Sequence, residues 1–213
     1  MNWMKKVAVA LVCLLPLGLQ AAKVDTLQVK SPSMNKSIEV VVVSPDVAAT
    51  KACPVIYLLH GYGGNARTWV GIKPDLPKIA DEKGIFFVCP DGKNTWYWDS
   101  PLNADVRYET FISDELVKYV DSHYKTVADR KGRAITGLSM GGHGAMWNGL
   151  RHSDVFSAAG STSGGVDIRP FPKNWEMSVQ IGEKAKYPEN WEKYTVINLV
   201  PTLRKDQIAL IFD

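Results

Sequence analysis

The sequence predicts an α/β domain built on a mostly parallel sheet. Two continuous apolar runs, residues 55–59 and 85–88, have the composition of strands buried on both faces. Helix-forming segments follow them, from Tyr108 to about Tyr124 and from Gly137 to about Leu150. Strands that alternate with helices in this way form parallel sheets.

The remaining elements complete this architecture. Residues 24–43 alternate twice between apolar and polar side chains around a Ser-Pro-Ser turn, which predicts an N-terminal antiparallel hairpin. Asp75 is the expected N-cap of a short helix that Gly84 ends. Further strands are expected at residues 134–136, 155–159 and 207–212. The proline- and aromatic-rich stretch 166–205 is expected to lie across the top of the sheet as a cap.

The first 21 residues have the layout of a secretory signal peptide. Lys5 and Lys6 precede an apolar run at residues 7–19, and small residues follow at Ala21 and Ala22. The run is shorter than the roughly 20 residues of a membrane-spanning helix, so no stable membrane insertion is expected. Cleavage after Ala21 would leave one domain, residues 22–213, exported to the periplasm or outside the cell. A lipoprotein site at Cys13 fits the motif less well.

Charge and cysteine content narrow the possible partners. The net charge of +3 falls to +1 without Lys5 and Lys6, and no basic block is long enough to follow a phosphate backbone, so no nucleic-acid partner is expected. Cys53 and Cys89 should lie at opposite ends of parallel strands, about 20 Å apart at ~3.3 Å per residue, and are therefore predicted to be free buried thiols. No His, Cys and Asp spacing suggests a metal site, and no cofactor is expected.

The strongest chemical signal is the pentapeptide Gly137-Leu138-Ser139-Met140-Gly141, between a predicted strand and a predicted helix. This is the nucleophile-elbow pattern in the context that it requires. Glycines permit a turn too tight for side chains, and Ser139 would present its hydroxyl in a strained conformation. The helix that begins at Met140 would direct N–H groups at an oxyanion.

A second glycine-rich segment, His60-Gly61-Tyr62-Gly63-Gly64, directly follows a buried strand. In the α/β-hydrolases that contain a nucleophile elbow, loops of this kind supply the second N–H that binds the oxyanion. We expect that N–H to come from Tyr62, with Gly63 as the alternative. A plain glycine turn is the competing interpretation, and the presence of an elbow later in the chain disfavours it.

From about Lys51 onward, the chain resembles the esterase family of α/β-hydrolases that includes esterase D (S-formylglutathione hydrolase), feruloyl and acetyl-xylan esterases, and the antigen 85 acyltransferases. The resemblance implies an α/β-hydrolase fold, Ser139 as nucleophile, and the N–H groups of Tyr62 and Met140 as the oxyanion hole. With the signal peptide, it favours short acyl or carbohydrate-linked esters as substrates. The matching segments are residues 58–64, 90–92, 96–101, 108–111 and 137–146.

The chain departs from the family at its end. In α/β-hydrolases an acid and then a histidine follow the nucleophile, and a further βα unit needs about 30 residues, which do not follow Asp213. Asp213 lies a few positions early for the acid. We therefore expect the C-terminal part to be missing, with the triad acid and histidine encoded beyond Asp213.

The four histidines have structural interpretations. His60 should brace the oxyanion loop, His123 should lie at a helix C-terminus, and His152 should lie at the surface. His143 lies one turn beyond Ser139 and is the only internal substitute for the base, but its side chain should point along the helix.

Two other segments could mimic or line a site. Residues 160–164, Gly-Ser-Thr-Ser-Gly, resemble an elbow but precede Pro170 and Pro172 rather than a helix, so a pocket-lining loop is expected. Trp96, Tyr97 and Trp98 could equally pack in the core or line an acyl or sugar pocket.

The sequence thus predicts a secreted serine carboxylic-ester hydrolase that works through an acyl-enzyme on Ser139. An acyltransferase of the antigen 85 type and a non-catalytic truncated fragment are the alternatives. The sequence does not determine the oligomeric state or the acyl and alcohol groups.

Overall fold

Seven strands form one mixed sheet in the computed structural model, which describes residues 22–213. The predicted signal peptide, residues 1–21, lies outside the described residues. The order across the sheet is β1-β2-β4-β3-β5-β6-β7. The strands are β1 (Lys23–Ser31), β2 (Lys36–Ser44), β3 (Val55–Leu59), β4 (Phe86–Pro90), β5 (Arg133–Gly137), β6 (Ala158–Ser161) and β7 (Ala209–Phe212).

The pairing confirms the predicted fold class. β1 and β2 form the expected antiparallel hairpin, and β2 also pairs antiparallel with β4. All the other neighbouring strands are parallel. The carboxyl ends of β3, β4, β5 and β6 therefore meet at one edge of the sheet, where ligands bind in folds of this kind.

Helices connect the parallel strands. The predicted helix after Tyr108 is confirmed. It is one continuous run in which π-helical Phe111–Glu115 joins two α-helical parts. Its apolar face is buried, as Ile112, Leu116 and Val120 show. The α-helices are α1 (Thr68–Ile72), α2 (Leu76–Lys83), α3 (Tyr108–Thr110), α4 (Leu116–His123), α5 (Met140–Arg151), α6 (Met177–Ile181) and α7 (Pro188–Lys193). No helix within residues 22–213 is long and apolar enough to cross a bilayer.

Two predicted strand starts are wrong, and one predicted helix cap is confirmed in position but not in its side-chain bond. Asp75 stands at the N-cap of α2, but its side chain makes no capping bond and pairs instead with Lys73 Nζ at 2.9 Å. The strand expected at 155–159 begins only at Ala158. Phe156, which suggested an earlier start, lies before the strand and packs its ring against Tyr57. The last strand begins at Ala209, since Gln207 uses its side chain to bond Ser153.

Two features of the core bear on the predictions. Cys53 and Cys89 are free and buried, as expected. Helix α5 is buried from Met140 to Leu150, which is unusual for a helix and requires its small residues. The turn at its start, which carries Ser139, is consequently anchored on a buried helix.

Candidate active site

Ser139 lies in the turn between β5 and α5, where an elbow was predicted. Its backbone has φ 55° and ψ −116°, a strained conformation for a residue with a side chain. The N–H of Ser139 donates to the carbonyl of Thr162 at 2.9 Å, which fixes the turn to the loop after β6. The residue is exposed, and its hydroxyl makes no hydrogen bond within residues 22–213. The geometry leaves this oxygen accessible to a ligand.

Glycines make this turn possible. A Cβ on Gly137 would overlap the backbone of Gly141, and a Cβ on Gly142 would lie only 2.7 Å from Ser161 Oγ. Only glycine permits such close approach. The turn is therefore too crowded for side chains at these positions, as the sequence suggested.

The loop at residues 60–64 lies beside the elbow. A Cβ on Gly61 would be 3.6 Å from the Cβ of Ser139. Within the described residues, neither the N–H of Tyr62 nor that of Met140 has a protein acceptor, whereas Gly63 donates to Asn94 Oδ1 at 2.9 Å. Of the two N–H groups considered for this loop, that of Gly63 is thus already engaged.

A cavity of about 290 Å³ opens at Ser139. Tyr62, Ser139 and Met140 all contribute to its wall, so the structure brings the three predicted site residues together. Its other lining residues are mainly apolar and aromatic: Trp96, Ser163, Gly164, Gly165, Asp167, Ile168, Phe171, Trp175 and Met177.

The aromatic run after β4 divides between cavity and core. Trp96 lines the cavity, whereas Tyr97 and Trp98 are fully buried. Tyr97 donates its hydroxyl to the carbonyl of His60 at 3.0 Å. The Gly-Ser-Thr-Ser-Gly segment lines the cavity through Ser163 and Gly164, without a helix after it, as predicted.

His60 braces the loop at residues 60–64, as expected. The N–H of Gly92 donates to His60 Nε2 at 2.9 Å, so Nδ1 carries the ring proton and donates to the carbonyl of Gly61 at 2.7 Å. The ring is buried between these partners. Neither nitrogen is available to Ser139.

His143 is likewise engaged on both sides. Its Nε2 accepts from Trp98 Nε1 at 2.9 Å, and its Nδ1 donates to the carbonyl of Gly165 at 2.7 Å. Burial lowers the pKa of His143 to about 4, against the opposing effect of the hydrogen bond to Gly165. A neutral ring held in this way orders the core beneath the cavity and does not face the Ser139 hydroxyl.

The other two histidines lie outside the cavity. His152, expected at the surface, is partly exposed, and its Nε2 donates to the buried carboxylate of Glu109 at 2.8 Å. Burial raises the pKa of Glu109, but hydrogen bonds from His152, Arg151 and Trp147 outweigh this effect and leave it lowered. His123 is exposed at the end of α4, where it bonds the carbonyl of Tyr119.

Asp213 lies at the tip of β7, where its carboxylate accepts from the N–H of Ser163 at 2.9 Å. It therefore contacts a loop of the cavity but is not among the residues that line it. No group of three or more His, Cys, Asp or Glu residues in 22–213 is arranged to hold a metal ion.

The sequence did not single out several residues of this site. Asp167 and Trp175 line the cavity from the segment between β6 and α6, and Asn94 contacts the oxyanion loop. The only sequence signal for any of these residues was the aromatic content of the stretch 166–205, which includes Trp175.

The mixed sheet, with its serine turn between β5 and a buried helix, defines an α/β-hydrolase. A family model described as "Putative esterase" matches residues 31–210. The chain belongs to this esterase family.

Known proteins agree with the assignment. An esterase of Mycobacterium tuberculosis is 30% identical over 149 residues, which are 67% of this chain and 32% of that protein. The MPT51/MPB51 antigen of Mycobacterium bovis is 31% identical over 148 residues, 68% of this chain and 46% of the antigen. The structure of a ferulic acid esterase superposes with a TM-score of 0.69 at 28% identity, covering 88% of this chain and 74% of that one. The chain thus spans only a third to a half of these two sequence relatives.

Proposed function

We propose that this chain is a serine carboxylic-ester hydrolase that forms an acyl-enzyme on Ser139. One observation carries the proposal: an exposed serine at φ 55° shares a cavity with Tyr62 and Met140, two residues whose N–H groups have no protein acceptor in the described part of the chain. A hydroxyl and two convergent N–H donors are what attack on an ester carbonyl requires.

In the proposed reaction, Ser139 Oγ attacks the ester carbonyl carbon. The carbonyl oxygen gains negative charge and accepts hydrogen bonds from the N–H groups of Tyr62 and Met140. The twelve-residue helix α5 adds its positive N-terminal dipole at the same point. The tetrahedral intermediate expels the alcohol, which takes up the proton that the base removed from Ser139 Oγ. Water then gives a proton to the base, attacks the acyl carbon and releases the acid from Ser139. Loss of one oxyanion donor in such sites typically lowers kcat by about 10²–10³.

No histidine among residues 22–213 is placed to act as the base in this proposal. Both ring nitrogens of His60 and of His143 are engaged away from Ser139, and His123 and His152 lie elsewhere.

Short acyl or carbohydrate-linked esters suit the cavity. Its volume of about 290 Å³ is near the lower end of small-molecule sites, and its walls are mainly apolar. Trp96, Phe171 and Trp175 offer flat surfaces for an acyl chain or a sugar ring. The names of two similar proteins, a ferulic acid esterase and an acetyl esterase of Caldicellulosiruptor saccharolyticus, are consistent with this class.

A fluorophosphonate probe tests the nucleophile. The complete product of the gene, with whatever follows codon 213, is labelled beside its Ser139→Ala variant, and the labelled peptide is identified by mass spectrometry. We expect the wild type alone to be labelled, on the peptide that contains Ser139. Equal labelling of both proteins would falsify the assignment.

Hydrolysis and acyl transfer are separated by the acceptor. The same protein is incubated with an acetyl or feruloyl ester in the presence and absence of a free sugar, and the products are identified by mass spectrometry. Free acid alone supports the hydrolase. Acylated sugar as the main product supports a transferase of the antigen 85 type instead.

Export is part of the proposal and has its own test. Residues 1–21 are proposed to be removed, so the N-terminus of protein recovered from the periplasm or medium should be Ala22. A cytosolic protein that retains Met1 contradicts this part and leaves the chemistry untouched.

A further inference from the structure

Asn94 connects the loop beside Ser139 to the cap. Its Oδ1 accepts the Gly63 N–H at 2.9 Å, and its Nδ2 donates to Glu176 Oε2 at 3.3 Å. A backbone N–H can only donate, so the bond to Gly63 sets the orientation of the side-chain amide. The two ends of one side chain thus join residues that are more than 110 positions apart in the sequence.

The cap side of this bridge is strained. Trp175 has φ 50° and Glu176 has φ 54°, so two successive residues with side chains occupy the left-handed region that such residues rarely adopt. This backbone directs Trp175 to the cavity and Glu176 to Asn94. The carbonyl of Trp175 also accepts from Trp96 Nε1 at 3.1 Å, which fixes the turn to a second wall of the cavity.

On the other side, the bridge acts on the N–H groups of the oxyanion loop. The Gly63 N–H is engaged by Asn94, whereas the preceding N–H, that of Tyr62, has no protein acceptor in residues 22–213. The phenol of Tyr62 also lies near Glu176, and burial together with this carboxylate raises the pKa of Tyr62. Loop and cap therefore meet at both Asn94 and Tyr62.

We propose that Asn94 is a positioning residue for ester hydrolysis: by binding Gly63 and Glu176 it holds the Tyr62 N–H toward Ser139 and couples this loop to Trp175 in the cavity wall. The inference rests on the proposed function. A bridge of this kind acts on the oxyanion that develops in the transition state, and much less on the bound substrate.

Asn94→Ala removes both bonds. Because misplacement of a catalytic group by about 1 Å can cost 10²-fold, we expect kcat to fall roughly tenfold to a hundredfold while KM stays within about threefold. Asn103→Ala is the matched control, since Asn103 Oδ1 also accepts a backbone N–H, that of Asp105 at 2.9 Å, in an exposed turn that does not line the cavity.

Rescue separates positioning from general damage. Asn94→Asp keeps an acceptor for Gly63 but places a second negative charge beside Glu176. When Asn94→Asp is combined with Glu176→Gln, the carboxylate at position 94 accepts hydrogen bonds from the Gly63 N–H and from the new amide at position 176. The bridge then reforms with its polarity reversed. We expect the double variant to recover most of the kcat that Asn94→Asp alone loses.

The measurements are kcat and KM on an acetyl ester, fluorophosphonate labelling, and thermal melts of each variant. A wild type that is not labelled overturns the proposed function, and this inference with it. A labelled wild type with Asn94→Ala kcat within about twofold of Asn103→Ala overturns the inference alone. If Asn94→Ala does not fold, the comparison of Asn94→Asp with the double variant decides: equal kcat values contradict the bridge.

Discussion

Gly141 packs directly on the carbonyl group of Leu59, so that the first turn of α5 rests on the end of β3. A Cβ on Gly141 would overlap the Leu59 carbonyl and would lie 2.7 Å from the carbonyl oxygen of His60. The elbow that carries Ser139 is thus seated on the strand that leads into the oxyanion loop. Backbone contacts therefore fix the position of the Ser139 turn relative to the loop at residues 60–64.

Gly141→Ala should therefore move the elbow away from β3. The obstructing atoms are backbone, which cannot rotate away, so we expect destabilisation at the upper end of the 1–3 kcal/mol typical of overpacking, or more. Fluorophosphonate labelling of Ser139 should fall with it. Urea unfolding and labelling rates measure the two effects.

Gly71→Ala is the matched control for this change. Gly71 lies in α1, and a Cβ there would have no neighbour within 4 Å. Alanine stabilises helix positions relative to glycine by up to about 1 kcal/mol. A Gly141→Ala protein as stable and as reactive as Gly71→Ala would show that the contact with Leu59 is unimportant.

Trp175→Ala should weaken substrate binding. The Trp175 ring lies 5.4 Å from Phe171 and 6.4 Å from Trp96, centroid to centroid, and completes an aromatic wall of the cavity. Loss of the apolar contact of one such ring is worth about 1.4 kcal/mol, so KM for an aromatic acyl ester should rise roughly tenfold with a smaller change in kcat. Phe212→Ala, in which an exposed aromatic outside the cavity is removed, should leave KM unchanged. Equal KM values in the two variants contradict the assigned wall.

The stability of the fold should depend on pH through His143. Its pKa of about 4 in the folded protein lies below the usual 6.5, so the unfolded chain binds the proton more readily. The stabilisation is present above pH 6.5 and is lost as the pH falls toward 4, by at most about 1.4 kcal/mol per pH unit. The main cause of the lowered pKa is burial of the ring, and a second ring proton would in addition face the N–H of Trp98.

Urea unfolding between pH 7.5 and 4.5 measures this effect, with His143→Gln as the variant that cannot titrate. We expect the free energy of unfolding to fall less steeply with acid in His143→Gln than in the wild type. His123→Gln, at an exposed helix end, serves as control. Parallel curves for the wild type and His143→Gln would exclude His143 as the source.

Glu109→Gln should destabilise the packing of α5 on α3. The Glu109 carboxylate accepts from Trp147 Nε1 at 2.7 Å, from Arg151 Nε at 2.8 Å and from His152 Nε2 at 2.8 Å. An amide offers one acceptor oxygen and directs N–H groups at the remaining donors, which costs about 1–3 kcal/mol. The exposed pair of Glu82 with Lys78 provides the control, and Glu82→Gln should change the free energy of unfolding by less than about 0.5 kcal/mol. Equal losses in the two variants refute the role of Glu109.

Local patterns predicted much of this fold. The alternation in residues 24–43 predicted the hairpin, and the continuous apolar runs predicted the central parallel strands. Both patterns depend only on residues that are close together in the sequence. The same reasoning erred at Phe156, and at Asp75 it predicted the N-cap position but not the partner of the side chain. Phe156 is apolar because it is buried in a turn, and Asp75 had a nearby lysine as a competing partner.

The site shows the same division. The Ser139 turn was predictable because its steric rule acts within five residues, from Gly137 to Gly141. Whether Trp96 faces core or cavity was undecided from sequence, since Trp96, Tyr97 and Trp98 are chemically alike and only their backbone separates them.

The sequence by itself determined a serine elbow, a glycine loop and the alternation of strands with helices. Only the tertiary structure decided that Asn94 meets Gly63 and Glu176, that both histidines near the elbow are engaged elsewhere, and that Trp175 lines the cavity. The physical reason is range: backbone sterics and periodicity act over a few residues, whereas the contacts between loops depend on which strand ends the sheet brings to one edge.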